Sequence, residues 1–314
     1  MHTLLTTSPN EAAALLRAGE VVAFPTETVY GLGADAFNAE AVRHLFEAKG
    51  RPTDNPLIVH IAHLDQITRV ASEVSPSARK LITSFFPGPL TLILPKTSAV
   101  PGVVTGGLDT VGVRMPRHPV AQAFLEACGG PVAAPSANRS GRPSPTTWQA
   151  VHADLDGRIA CILKGDRSEA GLESTVVDCT APAPVVLRTG VITVEQLRML
   201  FPEVQTVSQA AHEPARSPGT RYRHYAPRAR VQLVTAPEEA VPGPDAAFIG
   251  LAPVGPDAFG LSARCATVEH YAYDLFDFFR RCDAAGVRTI FCQRVAPEGL
   301  GRALMDRLHR AAQR

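Results

Sequence analysis

Between His212 and Arg230 the chain carries Arg216, Arg221, Arg223, Arg228 and Arg230 against Glu213 alone, interleaved with Pro214, Pro218, Gly219 and Pro227. Prolines at this density remove backbone donors and fix φ, so no helix or strand can run through the stretch. The fold must therefore be built on either side of it. The expected organisation is a large unit over 1–205, a linker over 206–230 and a smaller unit over 231–314, and 314 residues are enough for two cores.

Short apolar runs and helix-period segments alternate on both sides. Ser8, Pro9 and Glu11 read as the N-cap, first position and capping-box acid of a helix that Gly19 stops. Strands are expected over 21–24, 57–59, 90–94, 111–113, 132–134, 159–163, 175–178 and 185–187, with helices over 40–48, 120–128 and 194–200. After the linker the pattern predicts strands over 231–234, 246–249 and 287–292 and helices over 271–284 and 300–312. Intermixed strands and helices of this kind specify an α/β fold in both units.

The remaining composition serves mainly to exclude. A net charge of +1 argues against a surface coated for bulk nucleic-acid binding and leaves room for a local basic patch. Cysteines at 128, 161, 179, 265, 282 and 292 contain no C-x-x-C pair, which suits reduced cytosolic thiols better than zinc or a disulfide framework. No apolar run reaches membrane-spanning length and the N-terminus lacks a signal-peptide pattern, so a soluble cytoplasmic protein is expected. There is no Walker sequence. Gly31-Leu32-Gly33-Ala34-Asp35-Ala36 matches a dinucleotide fingerprint only superficially, since Pro25 breaks the approach and no strand ending in an acid follows. His60 and His63 lack a third metal ligand.

Chemistry-bearing residues gather in loops at strand ends. Lys49, Arg51 and Asn55 lie on a turn stiffened by Pro52 and Pro56, just before an apolar run ending at His60. Such a cluster suits a polyphosphate, and equally the C-terminal end of a helix dipole. Thr26 and Thr28 precede Gly31 and Gly33, where the backbone can approach a small polar ligand or merely turn. The stretch from Pro135 to Ser144 is dense in hydroxyls, Arg and the Asn138 amide, and Gly171 to Thr175 and Val186 to Gly190 supply two more polar loops. Arg114 interrupts an apolar strand and needs an anion, which a ligand carboxylate or a structural acid could provide.

Taken together, FPTETVYGLG, KGRPTDNPLIVHI, FFPGPLTLIL, VGVRMPRHP, APSANRSGRPSPT and ESTVVD resemble the blocks of the YrdC-like domain, with Lys49-x-Arg51 and Ser136-x-Asn138 as its K-x-R/S-x-N pattern. SPGTRYRHYAP (217–227) and the second unit resemble the two-domain L-threonylcarbamoyladenylate synthases, although Thr220 stands where family linkers commonly carry Met. The resemblance implies a twisted mixed open sheet with helices, joined by the linker to a small Rossmann-like α/β domain. It implies a nucleotidyltransferase that makes threonylcarbamoyl-AMP and pyrophosphate from L-threonine, bicarbonate and ATP, the first step of threonylcarbamoyladenosine modification of tRNA. By motif position, Arg51, Asn55, Thr110, Ser136, Ser144, Arg188 and Tyr225 would contact ATP. Lys49, Arg51 and Asn138 would neutralise charge at phosphate, and Thr28, His60, Arg114 and Ser174 would hold threonine. Mg²⁺ would accompany ATP, with no protein metal ligand identified. Downstream threonylcarbamoyl-transfer proteins are implied as partners, tRNA contact is left open, and the linker would act as a lid through Tyr225. An RNA-binding module and a carbamoyl transferase are the competing classes. Near-neutral charge weighs against the first, and the absence of extra domains against the second.

Overall fold

The first helix, Pro9–Arg17, begins where its sequence dictates: the Ser8 hydroxyl accepts the Glu11 N–H. Glu11 does not return to the cap as the capping box predicts. Its carboxylate takes the Thr6 hydroxyl at 2.5 Å, tying the helix to the edge strand Leu4–Thr6. The computed structural model describes residues 2–207 and 225–313, so most of the expected linker and lid, including 217–224, lies outside the described residues.

The first unit is one mixed sheet whose strands follow each other in space as Leu4–Thr6, Cys161–Leu163, Val22–Phe24, Gly31–Asp35, Val132–Ala134, Ile58–His60, Thr110–Arg114, Leu90–Pro95, Thr175–Asp178, Val185–Arg188 and Gln205–Thr206. Two register relations matter for function. His60 stands opposite Arg114 in a parallel pair. Thr175 stands opposite Leu90, which brings Ser174 to the end of the sheet where Arg114 emerges. On one face Tyr30, Leu45 and Leu81 belong to the main core. On the other, Phe24 and Phe124 pack with Ala12 and Ala13 of the first helix.

Gly31 and Gly33 lie within a strand rather than in the expected polar turn. The Phe24 ring covers them: a Cβ on Gly31 would sit 3.0 Å from its Cζ, and one on Gly33 would sit 2.8 Å from Val132 Cγ1. Close packing therefore demands these glycines. Several further elements escape apolar-run reading because they are short or half exposed, notably Gln205–Thr206, which extends the sheet into the region assigned to the linker, and Phe259–Arg264.

The second unit is a wholly parallel sheet in the order Arg230–Val234, Thr289–Gln293, Gly243–Gly250, Phe259–Arg264. Thr267 caps the helix Val268–Ala284, which starts one turn earlier than its apolar period suggests. That helix and Leu300–Ala312 bury Leu275, Phe276 and Leu304 in one cluster with Val29 and Leu172 of the first unit. The two units thus share a core. Gly171, at φ +72°, allows the contact, since a Cβ there would lie 2.5 Å from the Tyr273 backbone. Arg167 pairs with Asp274 at 2.9 Å, and Arg280 with Asp154 at 3.0 Å, across the same boundary.

Candidate active site

At the sheet end where the polar loops converge is an open cleft. Its lining includes Thr28, Arg51, His60, Arg114, Ser136, Ser174, Arg188 and Tyr225, all singled out from the sequence. Lys49, Asn55, Thr110, Ser144 and Asn138 do not line it.

One wall is held by a chain of bonds from strand end to strand end. Arg114 Nη1 donates to Thr28 Oγ1 at 2.8 Å. Thr26 spends its proton on the Val29 carbonyl at 2.6 Å, so the 2.9 Å contact between the two threonine hydroxyls is donated by Thr28. Arg114 Nη2 lies 2.8 Å from Glu27 Oε1 in an ion pair whose side chains are 5% and 0% exposed. The structural acid that Arg114 called for is therefore present, and the guanidinium, with five N–H groups, still lines the cleft. His60 is neutral: burial, then the neighbouring Arg114 charge, push its pKa down to about 3. Its Nδ1–H therefore donates to the Ile58 carbonyl at 3.2 Å, and its ring meets the Phe24 ring edge-on.

The loop from Ser136 to Ser144 closes a second side, and each half of the K-x-R/S-x-N pattern divides in two. Arg51 and Ser136 line the cleft, with Arg51 Nη2 also donating weakly to the Asn55 and Pro56 carbonyls at 3.4 and 3.3 Å. Lys49 and Asn138 turn inward. The Lys49 ammonium donates to the Ser136 carbonyl at 2.5 Å and to the Asn138 carbonyl. Burial, then the Arg51 charge, lower its pKa well below the usual lysine value. Asn138 accepts the Ser136 hydroxyl at 2.5 Å and donates to the Arg139 and Arg142 carbonyls at 2.8 and 2.9 Å. Thr110 opens the strand that Arg114 closes, at the far end from it, and Asn55 is buried beside the Arg51 turn.

The third side joins the two units. Arg188 Nη2 donates to the Ser174 carbonyl at 2.9 Å and to its hydroxyl at 3.1 Å, while Thr91 shares that hydroxyl at 2.8 Å. Glu173 also lines the cleft. It accepts the Ser144 hydroxyl at 2.7 Å on one oxygen and Arg307 Nε at 2.8 Å on the other. The ring of Tyr225, at φ +69°, lies between Phe276 at 5.4 Å and the Arg307 guanidinium at 5.3 Å. Behind the Ser136 loop, Asp154 binds the Arg139 N–H, Arg142 and Arg280. Burial would raise its pKa, but the bonds from Arg280 and Arg142 hold it below the usual carboxylate range.

Sequence reading passed over Glu27, Glu173, Asp154, Arg280 and Arg307. Arg307 alone left a trace: it falls on the apolar stripe of Ala303, Leu304, Leu308 and Ala311, where a charge needs a buried partner. Among the described residues no cluster of three or more His, Cys, Asp or Glu could hold a metal ion.

A family profile described as telomere recombination matches residues 14–190, and one described as threonylcarbamoyl-AMP synthase, C-terminal domain, matches residues 192–313. The threonylcarbamoyl-AMP synthase of Pyrococcus abyssi is 45% identical over 318 residues, spanning 96% of this chain and 93% of that protein. The Bacillus subtilis threonylcarbamoyl-AMP synthase is 44% identical over 319 residues, spanning 96% and 92%. The crystal structure of P. abyssi Sua5 complexed with L-threonine superposes with a TM-score of 0.90 at 42% identity, covering 99% of this chain and 97% of that one.

Proposed function

The chain belongs to the two-domain threonylcarbamoyl-AMP synthases, and on that premise we propose how its cleft forms L-threonylcarbamoyladenylate and pyrophosphate from L-threonine, bicarbonate and ATP. The observation that carries the proposal is the convergence of three guanidinium groups, Arg51, Arg114 and Arg188, on one cleft. The carboxylate on its lining, Glu173, is already bonded to Ser144 and Arg307. Arg114 is paired with Glu27, and guanidinium forks such as these suit substrates bearing a carboxylate and a polyphosphate.

In the reaction the threonine amine bonds to the bicarbonate carbon, losing a proton while water leaves, to give a carbamate. A carbamate oxygen then attacks the α-phosphorus of ATP, and the bond to the β-phosphate oxygen breaks to release pyrophosphate. No protein nucleophile is needed, so the protein's task is positioning and charge neutralisation. Arg114, Thr28, His60 and Ser174 hold threonine, with Arg114 toward its carboxylate. That the related P. abyssi protein was crystallised with L-threonine supports threonine as the substrate. Because His60 is neutral, it neither repels the ammonium nor adds a charge that the nearby arginines would have to bear.

Arg51, Ser136, Arg188 and Tyr225 serve the nucleotide directly. Ser144 acts there through Glu173, while Lys49 and Asn138 serve it by fixing the carbonyls and hydroxyl of the Ser136 loop. Asn55 and Thr110 do not line the cleft, and their place on the nucleotide side rests on motif position alone. Mg²⁺ enters as part of MgATP, held by phosphate oxygens and water, and is assigned no protein ligand. The labile product passes to separate threonylcarbamoyl-transfer proteins that modify tRNA. The six unpaired, buried cysteines support a cytoplasmic setting, and no helix among the described residues is long and apolar enough to cross a membrane.

The test is incubation with MgATP, bicarbonate and L-threonine. Pyrophosphate and threonylcarbamoyl-AMP should form together, and neither should form when threonine or bicarbonate is omitted. Pyrophosphate release independent of threonine would overturn the reading.

A further inference from the structure

Arg307 heads the largest fully buried side chains, at 0% exposure, and it stands on the last helix of the C-terminal domain. Its contacts, however, reach the catalytic domain. Nε donates to Glu173 at 2.8 Å and Nη2 to the Thr189 carbonyl at 3.0 Å, while Nη1 pairs with its neighbour Asp306 at 2.6 Å. A buried guanidinium is tolerated only when such partners compensate its desolvation. Asp306 is in turn bonded by Arg310 at 3.1 Å.

Each catalytic-side contact leads to a different part of the cleft. Glu173 lines it and passes its second oxygen to Ser144. Thr189 follows directly on Arg188, whose guanidinium lines the cleft. The Tyr225 ring lies over Arg307 and lines it as well. The domain boundary is elsewhere secured by a shared apolar cluster and by the Arg167–Asp274 and Arg280–Asp154 pairs. A buried charge is not required there for adhesion alone.

We propose that Arg307 is a positioning residue: from the C-terminal domain it fixes Glu173 and the Arg188–Thr189 turn, and thereby sets the nucleotide wall of the cleft. The inference rests on the reading of Arg188, Ser144 and Tyr225 as nucleotide-side groups. Arg307 touches no reacting atom and moves no proton. Its fork geometry is what counts, because one planar group must meet a carboxylate oxygen and a carbonyl at once.

The experiment compares full-length Arg307→Met, Arg307→Lys, Glu173→Gln and Arg188→Ala in threonine-dependent pyrophosphate release. KM for ATP and for threonine are measured separately and rates are normalised to the folded fraction. Arg307→Met should raise KM for ATP about tenfold or more and change KM for threonine by less than about twofold, since a small misplacement of binding groups is costly. Arg307→Lys should recover only part of the loss. Glu173→Gln, which keeps the shape, should give the same ATP-selective shift and carries the test if Arg307→Met does not fold. A fall in thermal stability with both KM values unchanged, or an equal shift in both, would overturn the positioning role. Arg188→Ala is the reference. If it lacks an ATP-selective effect, the nucleotide reading itself fails. If it shows one while Arg307→Met and Glu173→Gln stay flat, only the role of Arg307 fails.

Discussion

The two walls of the cleft are held in opposite ways. The Thr28, His60 and Arg114 wall is built entirely within the first domain, where adjacent strand ends, a threonine pair and the buried Glu27 fix every group. The Glu173, Arg188 and Tyr225 wall is held partly from outside, by Arg307 and Phe276 of the C-terminal domain. The first wall is preorganised by the sheet and the second by domain contact. Disturbing the boundary should therefore weaken one substrate's binding and spare the other's, whereas disturbing the sheet should cost both stability and binding.

The largest effect is expected at Arg114. Arg114→Ala leaves Glu27 buried without its cation, which should cost about 3–5 kcal/mol of stability in urea melts as well as threonine binding. A stable Arg114→Ala protein would show that this wall is not locked as described. Next in size is Arg51→Ala. It removes a cleft cation, so kcat for adenylate formation should fall about 10²–10³-fold with the fold intact. Near-normal turnover would remove Arg51 from the nucleotide side.

Lys49→Met probes the joint between the walls. It leaves the Ser136 and Asn138 carbonyls without their donor, so stability should drop by about 1–3 kcal/mol. The loss of binding should fall mainly on ATP, because the loop that Lys49 holds serves the nucleotide. Equal losses for ATP and threonine would show that the Ser136 loop is not confined to the nucleotide side. A further effect concerns pH. Because the folded state holds His60 near 3 while the unfolded chain titrates near its ordinary value of 6.5, the unfolded state binds the extra proton between these limits. The contribution of His60 is complete above about pH 6.5 and is lost as pH falls toward 3. His60→Gln should flatten that slope in urea melts taken from pH 7 to pH 4, and an unchanged slope would mean that the ring is protonated in the folded protein.

The cleft-facing groups were legible because they sit in polar loops at the ends of apolar runs, as at Arg51, Ser136 and Arg188. Their supports were not. Glu173 and Arg307 are far apart in the sequence and meet only through domain contact, while Glu27 is hidden inside a stretch that reads as a polar turn. Lys49 and Asn138 were visible as chemistry, but the direction of their side chains depends on the closeness of two loops, which no local pattern records. Gly31 and Gly33 misled for a related reason, since the Phe24 ring that requires them belongs to the neighbouring strand. Strand existence followed from apolar runs, whereas the eleven-strand order depends on pairings between distant segments.

The division into two walls is tested most directly by calorimetric binding of L-threonine and of a non-hydrolysable ATP analogue, each titrated into Thr28→Val and Arg188→Ala proteins. Thr28→Val should weaken threonine and leave the nucleotide near its unaltered affinity, whereas Arg188→Ala should weaken the nucleotide most, with a smaller loss for threonine because Arg188 also holds Ser174. Equal losses for both ligands in both variants would contradict the two-wall arrangement.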